Sequence, residues 1–252
     1  MRIDHPTLHQ IPALRQLWQE AFGDEDAFLD IFFSTAFSSD RCLCLWQEDT
    51  LAGALYWFDC SCRDQKFAYL YAVATAVPFR GRGICGKLMV HTHRLLAQRG
   101  YAGVILVPQS EPLRAMYRHM GYRDCTSVTE FTAPTELPEA TLRHLTEAEY
   151  GTLRRELLPA DGMVQEGENL RFLGSQAVLF GGNGWIAAVT PMGEKLHCHE
   201  LLGDPDAAYG IVSALGCREG FFRIPGSDTP FAQYLPLAEH CPAPKYFGLA
   251  FD

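Results

Sequence analysis

The sequence predicts an α/β chain of two related units, each built on a mixed sheet. Three observations carry this. An apolar run at 68–75 leads through a Gly/Arg-rich turn into an amphipathic helix and a second apolar strand at 102–107. A strand, a helix and a parallel strand form a right-handed crossover. The order helix, hairpin, strand, helix, strand then recurs after residue 141. The 252 residues suffice for a sizeable core, in one large domain or two small ones.

Taken in order, residues 7–22 set Leu8, Ile11, Leu14, Leu17, Trp18 and Phe22 at helical spacing, with Gly23 as the C-cap. Residues 24–37 predict a second helix, acidic in its first turn, with Phe28, Ile31 and Phe32 inward. Alternation over 41–47, a turn at Glu48, Asp49 and Thr50, and the run 51–60 predict a hairpin. The strand at 68–75 ends before Pro78, which has no N–H to donate. Ile84, Leu88, Leu95 and Leu96 share a face of a helix over 83–99, closed by Gly100. A strand at 102–107, a helix at 111–120 and a strand at 122–132 complete the first unit, and Pro134 and Pro138 mark a linker. The predicted division is therefore 1–133 and 134–252. In the second part, 142–158 is helical, and 177–180 and 185–190 form a hairpin around Gly181, Gly182, Asn183 and Gly184. Residues 195–202 form a strand, Asp204 and Pro205 open a helix to Leu215, and 221–224 is a strand. The run 245–251 has strand character.

The chemistry concentrates after the strand at 68–75. Gly81, Gly83 and Gly86 crowd the turn, so backbone amides can approach a ligand closely, and the helix that follows adds about half a positive charge at its N-terminus. Together they predict an anion site, most naturally for phosphate, to which Arg80 and Arg82 add fixed charge. Gly81-x-Gly83-x-x-Gly86 matches the dinucleotide fingerprint, but Pro78, Phe79 and Arg80 separate the strand from the first glycine. No acidic ribose-binding residue ends the next strand, which runs into Pro108 and Gln109. The P-loop pattern fails, since Gly86-Lys87 is followed by Leu88.

Arg80-Gly81-Arg82-Gly83-Ile84 resembles the pyrophosphate-binding motif of the GNAT superfamily of N-acetyltransferases, Gln/Arg-x-x-Gly-x-Gly/Ala. The final small residue is Cys85 here, with Gly86 one place later. The segment 108–122, with Tyr117 and the ending Gly121-Tyr122, is similar to the family's tyrosine-bearing helix; the Asn often found seven residues before that Tyr is Ser110 here. The resemblance covers roughly 1–131 and extends, more loosely, to tandem-domain acetyltransferases of the enhanced-intracellular-survival type. It implies an N-terminal GNAT fold followed by a degenerate GNAT-like unit. It also implies acetyl-CoA as cosubstrate, held at Arg80, Gly81, Arg82, Gly83, Ile84, Cys85, Gly86 and Ser110, with the pantetheine along a bulged strand end at Val73, Ala74 and Thr75. A free amide near Val73 or Ala74 would polarise the thioester carbonyl. Tyr117 matches the residue facing the leaving sulfur; a phenol of pKa near 10 stays protonated and can donate there. The survival-type enzymes use a C-terminal carboxylate as base, which points to Asp252 if 245–251 docks on the first sheet. Asp24, Glu25, Asp59 and Glu111 are the other candidate bases. In the family, first-helix residues wall the acceptor pocket, a role open to Trp18, Phe22, Phe28, Phe32, Phe33 and Trp57, which as apolar residues also suit the core. The second unit has Leu202-Gly203-Asp204-Pro205 in place of the cofactor loop, an anion where a phosphate would sit, and is expected not to bind CoA.

Composition narrows the partners. A formal charge of −9 argues against nucleic acid and agrees with a small cationic amine as substrate. No apolar run reaches the roughly 18 residues of a membrane helix, and the N-terminus has no signal-peptide core, so a cytoplasmic protein is expected. Nine cysteines without a secretory signal are expected to be reduced. Cys42-x-Cys44, Cys60-x-Cys62 and His197-Cys198-His199 invite a metal, but zinc sites use two to four intervening residues, so buried thiols and no metal are expected. The predicted activity is N-acetyl transfer to a primary amine of a small molecule or peptide. An acyl-CoA-binding sensor without turnover and a dinucleotide-dependent oxidoreductase are the rival readings.

Overall fold

The computed structural model describes residues 1–136 and 138–251. The first part of the chain runs β1 (Arg2–Asp4), α1 (Ile11–Phe22), α2 (Asp26–Thr35), β2 (Cys42–Gln47), β3 (Thr50–Cys62) and β4 (Gln65–Thr75). It continues with α3 (Ile84–Gln98), β5 (Gly103–Leu106), α4 (Glu111–His119) and β6 (Arg123–Asp124). The second part holds β7 (Ser127–Pro134), β8 (Arg143–His144), α5 (Glu147–Leu157), β9 (Val164–Gln165) and α6 (Glu168–Gly174). It ends with β10 (Val178–Gly182), β11 (Trp185–Met192), β12 (Lys195–Gly203), α7 (Ala207–Ala214), β13 (Glu219–Pro225), β14 (Thr229–Pro230) and β15 (Gln233–Pro236).

Two mixed sheets result. The first is ordered β1-β2-β3-β4-β5-β15-β6, with β9 added along β3; the second is β14-β7-β13-β12-β11-β10-β8. Each contains one parallel pair, β4 with β5 and β12 with β13. The first sheet is covered on both faces. Leu14, Trp18 and Phe32 of α1 and α2 pack on one, and Ile84, Leu88, Met89 and Tyr117 of α3 and α4 on the other. This is why β3 reads as an unbroken apolar run rather than an alternating one. Helix α7 covers one face of the second sheet through Ala208, Ile211 and Val212.

The sheets exchange strands. The strand expected over 122–132 splits: Arg123–Asp124 stays in the first sheet, whereas Ser127–Pro134 pairs with β13 in the second. In return β15 inserts between β5 and β6 of the first sheet. The division expected at 133/134 therefore lies one strand away from the boundary between the sheets. Gln-Tyr-Leu-Pro of β15 is too short to show a period of two, so its place depends on partners more than 100 residues earlier. Other expectations also change. The helix expected from 142 starts at Glu147, and the one expected at Asp204 starts at Ala207. Residues 246–251 do dock on the first sheet, but as an irregular segment with a single bridge, Tyr246 to Gly162, instead of a strand.

Candidate active site

After Thr75 the chain makes a short 3-10 turn (Val77–Phe79), and Arg80 Nε donates to the Thr75 carbonyl at 3.0 Å. Gly81 (φ +73°) and Gly83 (φ +72°) lie in the left-handed region that side chains disfavour. A side chain at 81, 83 or 86 would meet nothing within 4 Å, so these glycines serve the backbone path and not packing. Gly83 caps α3, whose first helical bond runs from Lys87 N to Gly83 O. The amides of Ile84, Cys85 and Gly86 precede that bond and, with the helix dipole, offer donors to an anion.

The strand before the loop is irregular. Between the pairs Ala54–Ala74 and Tyr56–Tyr71, Leu55 stands opposite both Ala72 and Val73, and Ala72 takes φ +47°. Such a bulge bends its strand. β4 and β5 pair from Phe67–Gly103 to Tyr69–Ile105 and then diverge. Residues 70–75 on one side and 106–109 on the other line a cavity of about 1070 Å³. Tyr117, on α4, opens onto the same cavity and is 7% exposed. Burial, and then the proximity of Cys85, raises its pKa above the ordinary value for a phenol, so it holds its proton at neutral pH. Burial also raises the Cys85 thiol, which is therefore not a thiolate. Arg114 fixes α4 in place. It pairs with Asp124 at 2.5 Å and donates to the carbonyls of Pro230 and Phe231, both at 2.9 Å, tying the helix to the chain that leads into β15.

The far end of the cavity is aromatic. Trp18, Phe22, Phe28, Tyr69, Tyr71 and Phe251 line it, together with Leu173, Gln176 and His199 from the second part of the chain. Trp18 Nε1 donates to Asp24 Oδ2 at 2.7 Å and holds that carboxylate at the wall. Tyr71 donates its hydroxyl to the Phe251 carbonyl at 2.6 Å, and Gln165 Nε2 donates to the Leu249 carbonyl at 2.7 Å. Behind them lies a buried ion pair. Arg154 Nε is 2.7 Å from Glu200 Oε2, and Glu200 also accepts from Tyr150 at 3.3 Å and from Tyr246 at 3.0 Å. Arg154 further donates to the Met163 carbonyl at 3.1 Å. These bonds satisfy both charges away from water and hold 246–251 against the first sheet.

A family model described as an acetyltransferase (GNAT) domain matches residues 2–125. The N-terminal part of this chain is a GNAT acetyltransferase domain. Solved structures share the fold over nearly the whole chain. A GCN5-related N-acetyltransferase from Anabaena variabilis superposes with TM-score 0.74 at 13% identity, over 94% of this chain and 73% of that one. One from Kribbella flavida gives 0.72 at 16%, over 94% and 72%. Eis1 from Mycobacterium abscessus gives 0.68 at 12%, over 94% and 74%. No curated protein matches the chain by sequence.

Within the GNAT domain, Val73, Ala74, Thr75, Arg80, Gly81, Gly83, Ile84, Cys85, Gly86 and Tyr117 all line the one cavity. Arg82 stands beside it, its guanidinium 5.9 Å from the Phe79 ring centre. Ser110 caps α4, accepting from Leu113 N at 3.4 Å. Asp252 lies outside the described residues. Of the other candidate bases, Asp24 lines the cavity. Glu111 pairs with Arg118, and Asp59 accepts from Tyr101 at 2.5 Å away from the cavity lining. Trp18, Phe22 and Phe28 wall the aromatic end of the cavity, whereas Trp57 is core on the opposite face of the sheet, and Phe32 and Phe33 belong to the core around Trp18. Tyr69, Tyr71 and Gln176 carried no motif, and His199 stood out only in the His197-Cys198-His199 run, which forms no metal site among the described residues. Their places depend on how the second part folds over the first. A separate groove of about 710 Å³ between α5 and α6 contains none of the predicted residues. Among the described residues, no group of His, Cys, Asp or Glu is arranged to hold a metal, and no helix is long and apolar enough to cross a membrane.

Proposed function

We propose that the chain is an acetyl-CoA-dependent N-acetyltransferase acting on a primary amine of a small molecule or peptide by direct attack. One observation carries the reading: the glycine–arginine loop, the bulged strand end and a buried, protonated tyrosine all open onto a single cavity. The residues present suit the cofactor. The amides of 81–86 with Arg80 and Arg82 match a pyrophosphate, Val73, Ala74 and Thr75 offer an unpaired strand edge to the pantetheine, and Ser110 flanks them at the start of α4.

Acetyl-CoA supplies the acetyl group as an activated thioester. An amide near Val73 or Ala74 polarises the carbonyl. The amine nitrogen bonds to the carbonyl carbon as the C–S bond breaks, Tyr117 gives its phenolic proton to the departing sulfur, and the second proton shed by the nitrogen as the amide forms restores the phenol. We assign the base that takes the ammonium proton to Asp252, which follows the cavity-lining Phe251. Asp24 and the net charge of −9 favour a cationic acceptor. Residues 134–252 we read as a degenerate copy without a cofactor loop. The nine free thiols suit a reducing compartment, which we take to be the cytoplasm.

CoA release measured against polyamines, aminoglycosides and amino acids tests this. Release with at least one class, abolished by Tyr117→Phe, is expected. Tight acetyl-CoA binding without release across the panel would favour the sensor, and thermal stabilisation by NAD but not by CoA would overturn both. Unchanged turnover in Asp252→Ala would remove Asp252 from the mechanism.

A further inference from the structure

The second sheet carries an irregularity of its own. Val189 pairs with Cys198 and Ala188 with Glu200, so His199 is the extra residue of a bulge on β12. The bulge turns His199 into the cavity of the first unit, between Leu173 and Gln176 of the α6 region and the aromatic wall. His199 Nε2 lies 2.8 Å from Thr190 Oγ1, and Thr190 Oγ1 lies 2.9 Å from the Gln176 carbonyl. A carbonyl only accepts, so the single hydroxyl hydrogen of Thr190 goes to Gln176. Thr190 must then accept from His199, which puts the imidazole hydrogen on Nε2 and leaves a lone pair on Nδ1. Burial, with His197 and Arg223 nearby, lowers the His199 pKa to about 4, so the ring is neutral at neutral pH. Among the described residues Nδ1 has no hydrogen-bond partner. His199 is only part-buried and lines the cavity, so Nδ1 is left available to accept from a group that enters.

We propose that His199 is a specificity-determining residue for the acceptor, its Nδ1 accepting a hydrogen bond from an N–H or O–H remote from the amine that is acetylated. This rests on the amine-acetyltransferase reading above. The acceptor class that follows is a primary amine with an apolar or aromatic body and a second donor at its far end. The apolar body suits Phe22, Phe28 and Phe251, and the charge suits Asp24. The second unit, without a cofactor loop, then acts in recognition through the residue that its own bulge displaces.

The full chain is assayed at saturating acetyl-CoA with two matched pairs, tyramine against phenethylamine and cadaverine against pentylamine. Each pair differs by one distal donor. In the wild type, kcat/KM for the donor-bearing member of at least one pair is expected to exceed its mate by about 10-fold or more, mainly through KM. His199→Phe should bring that ratio near one while leaving the KM for acetyl-CoA unchanged. His199→Asn, which keeps an acceptor near the place of Nδ1, should retain part of the preference. His199→Gln keeps the donor to Thr190 but no acceptor at that place and should lose the preference, which serves if His199→Phe does not fold. A ratio near one in the wild type for both pairs, or a ratio unchanged in both His199→Phe and His199→Gln, overturns the proposal and leaves the acetyltransferase reading standing. Acetylation of no amine at all overturns that reading and this one with it.

Discussion

The β4 bulge at Ala72–Val73 and the β12 bulge at His199 are the same irregularity put to different uses. Each follows the parallel pairing of its strand and precedes a helix. In the first sheet the chain beyond the bulge stays open on its β5 side and passes through 76–83, with two left-handed glycines, into α3. What opens onto the cavity there is largely backbone. In the second sheet the chain beyond the bulge is closed down. Gly203 (φ +91°) lies so close to the Gly184 carbonyl that a side chain would overlap it, and only 204–206, with two carboxylates, separate β12 from α7. What the bulge yields there is side chains. It shifts the alternation so that Glu200 points at Arg154 and His199 at the cavity. A bulge can thus free either main-chain groups or side chains, and the length and glycine content of the following loop decide which.

If the second bulge serves structure through Glu200, removing its partner should be the most damaging change. Arg154→Met leaves a buried carboxylate unpaired and should cost about 3–5 kcal/mol in urea unfolding, most of it recovered in Arg154→Met/Glu200→Leu. The first bulge should show its role in turnover instead. Tyr117→Phe is expected to lower kcat by about 100-fold or more with the midpoint of unfolding and the KM for acetyl-CoA nearly unchanged. Two glycines separate the roles again. Gly203→Ala should destabilise by roughly 2 kcal/mol without altering the KM for acetyl-CoA, whereas Gly83→Ala should cost about 1 kcal/mol and raise that KM several-fold. Equal effects of the two on that KM would break the comparison.

The smallest effect concerns pH. Burial lowers His93 on α3 to about 4, and burial, with His197 and Arg223 nearby, lowers His199 on β12 to about 4. The unfolded chain takes up these protons below about 6.5 and the folded chain only near 4. Stability should be complete above that range and fall as pH drops through it, by up to about 1.4 kcal/mol per pH unit for each group. Unfolding of His199→Phe measured between those pH values should show the slope reduced by one group.

Much of this was local enough to read in advance. The motif at 80–86 and the helix bearing Tyr117 are contiguous stretches whose chemistry depends on neighbours a few residues away, namely glycines at left-handed positions, a helix start and a phenol one face from Met116 and Met120. The first helices and the hairpins followed from periodicity for the same reason. The aromatic wall was legible only as composition. Trp18 and Phe28 turn to the cavity and Trp57 to the opposite face, though all three sit in equally apolar surroundings.

The sequence by itself thus determined the kind of fold, the glycine–arginine loop and the helix that carries Tyr117, because hydrogen bonding within a loop and burial of one helix face are short-range demands. The tertiary structure alone decided the exchange of β7 for β15, the docking of 246–251 and the presence of His199 in the first unit's cavity. Those rest on contacts between residues separated by about half the chain or more, such as Tyr71 with Phe251 and Gln233 with Leu106. Pairings at that distance leave no periodic trace in either partner, since each short segment satisfies its backbone only once the other sheet is in place.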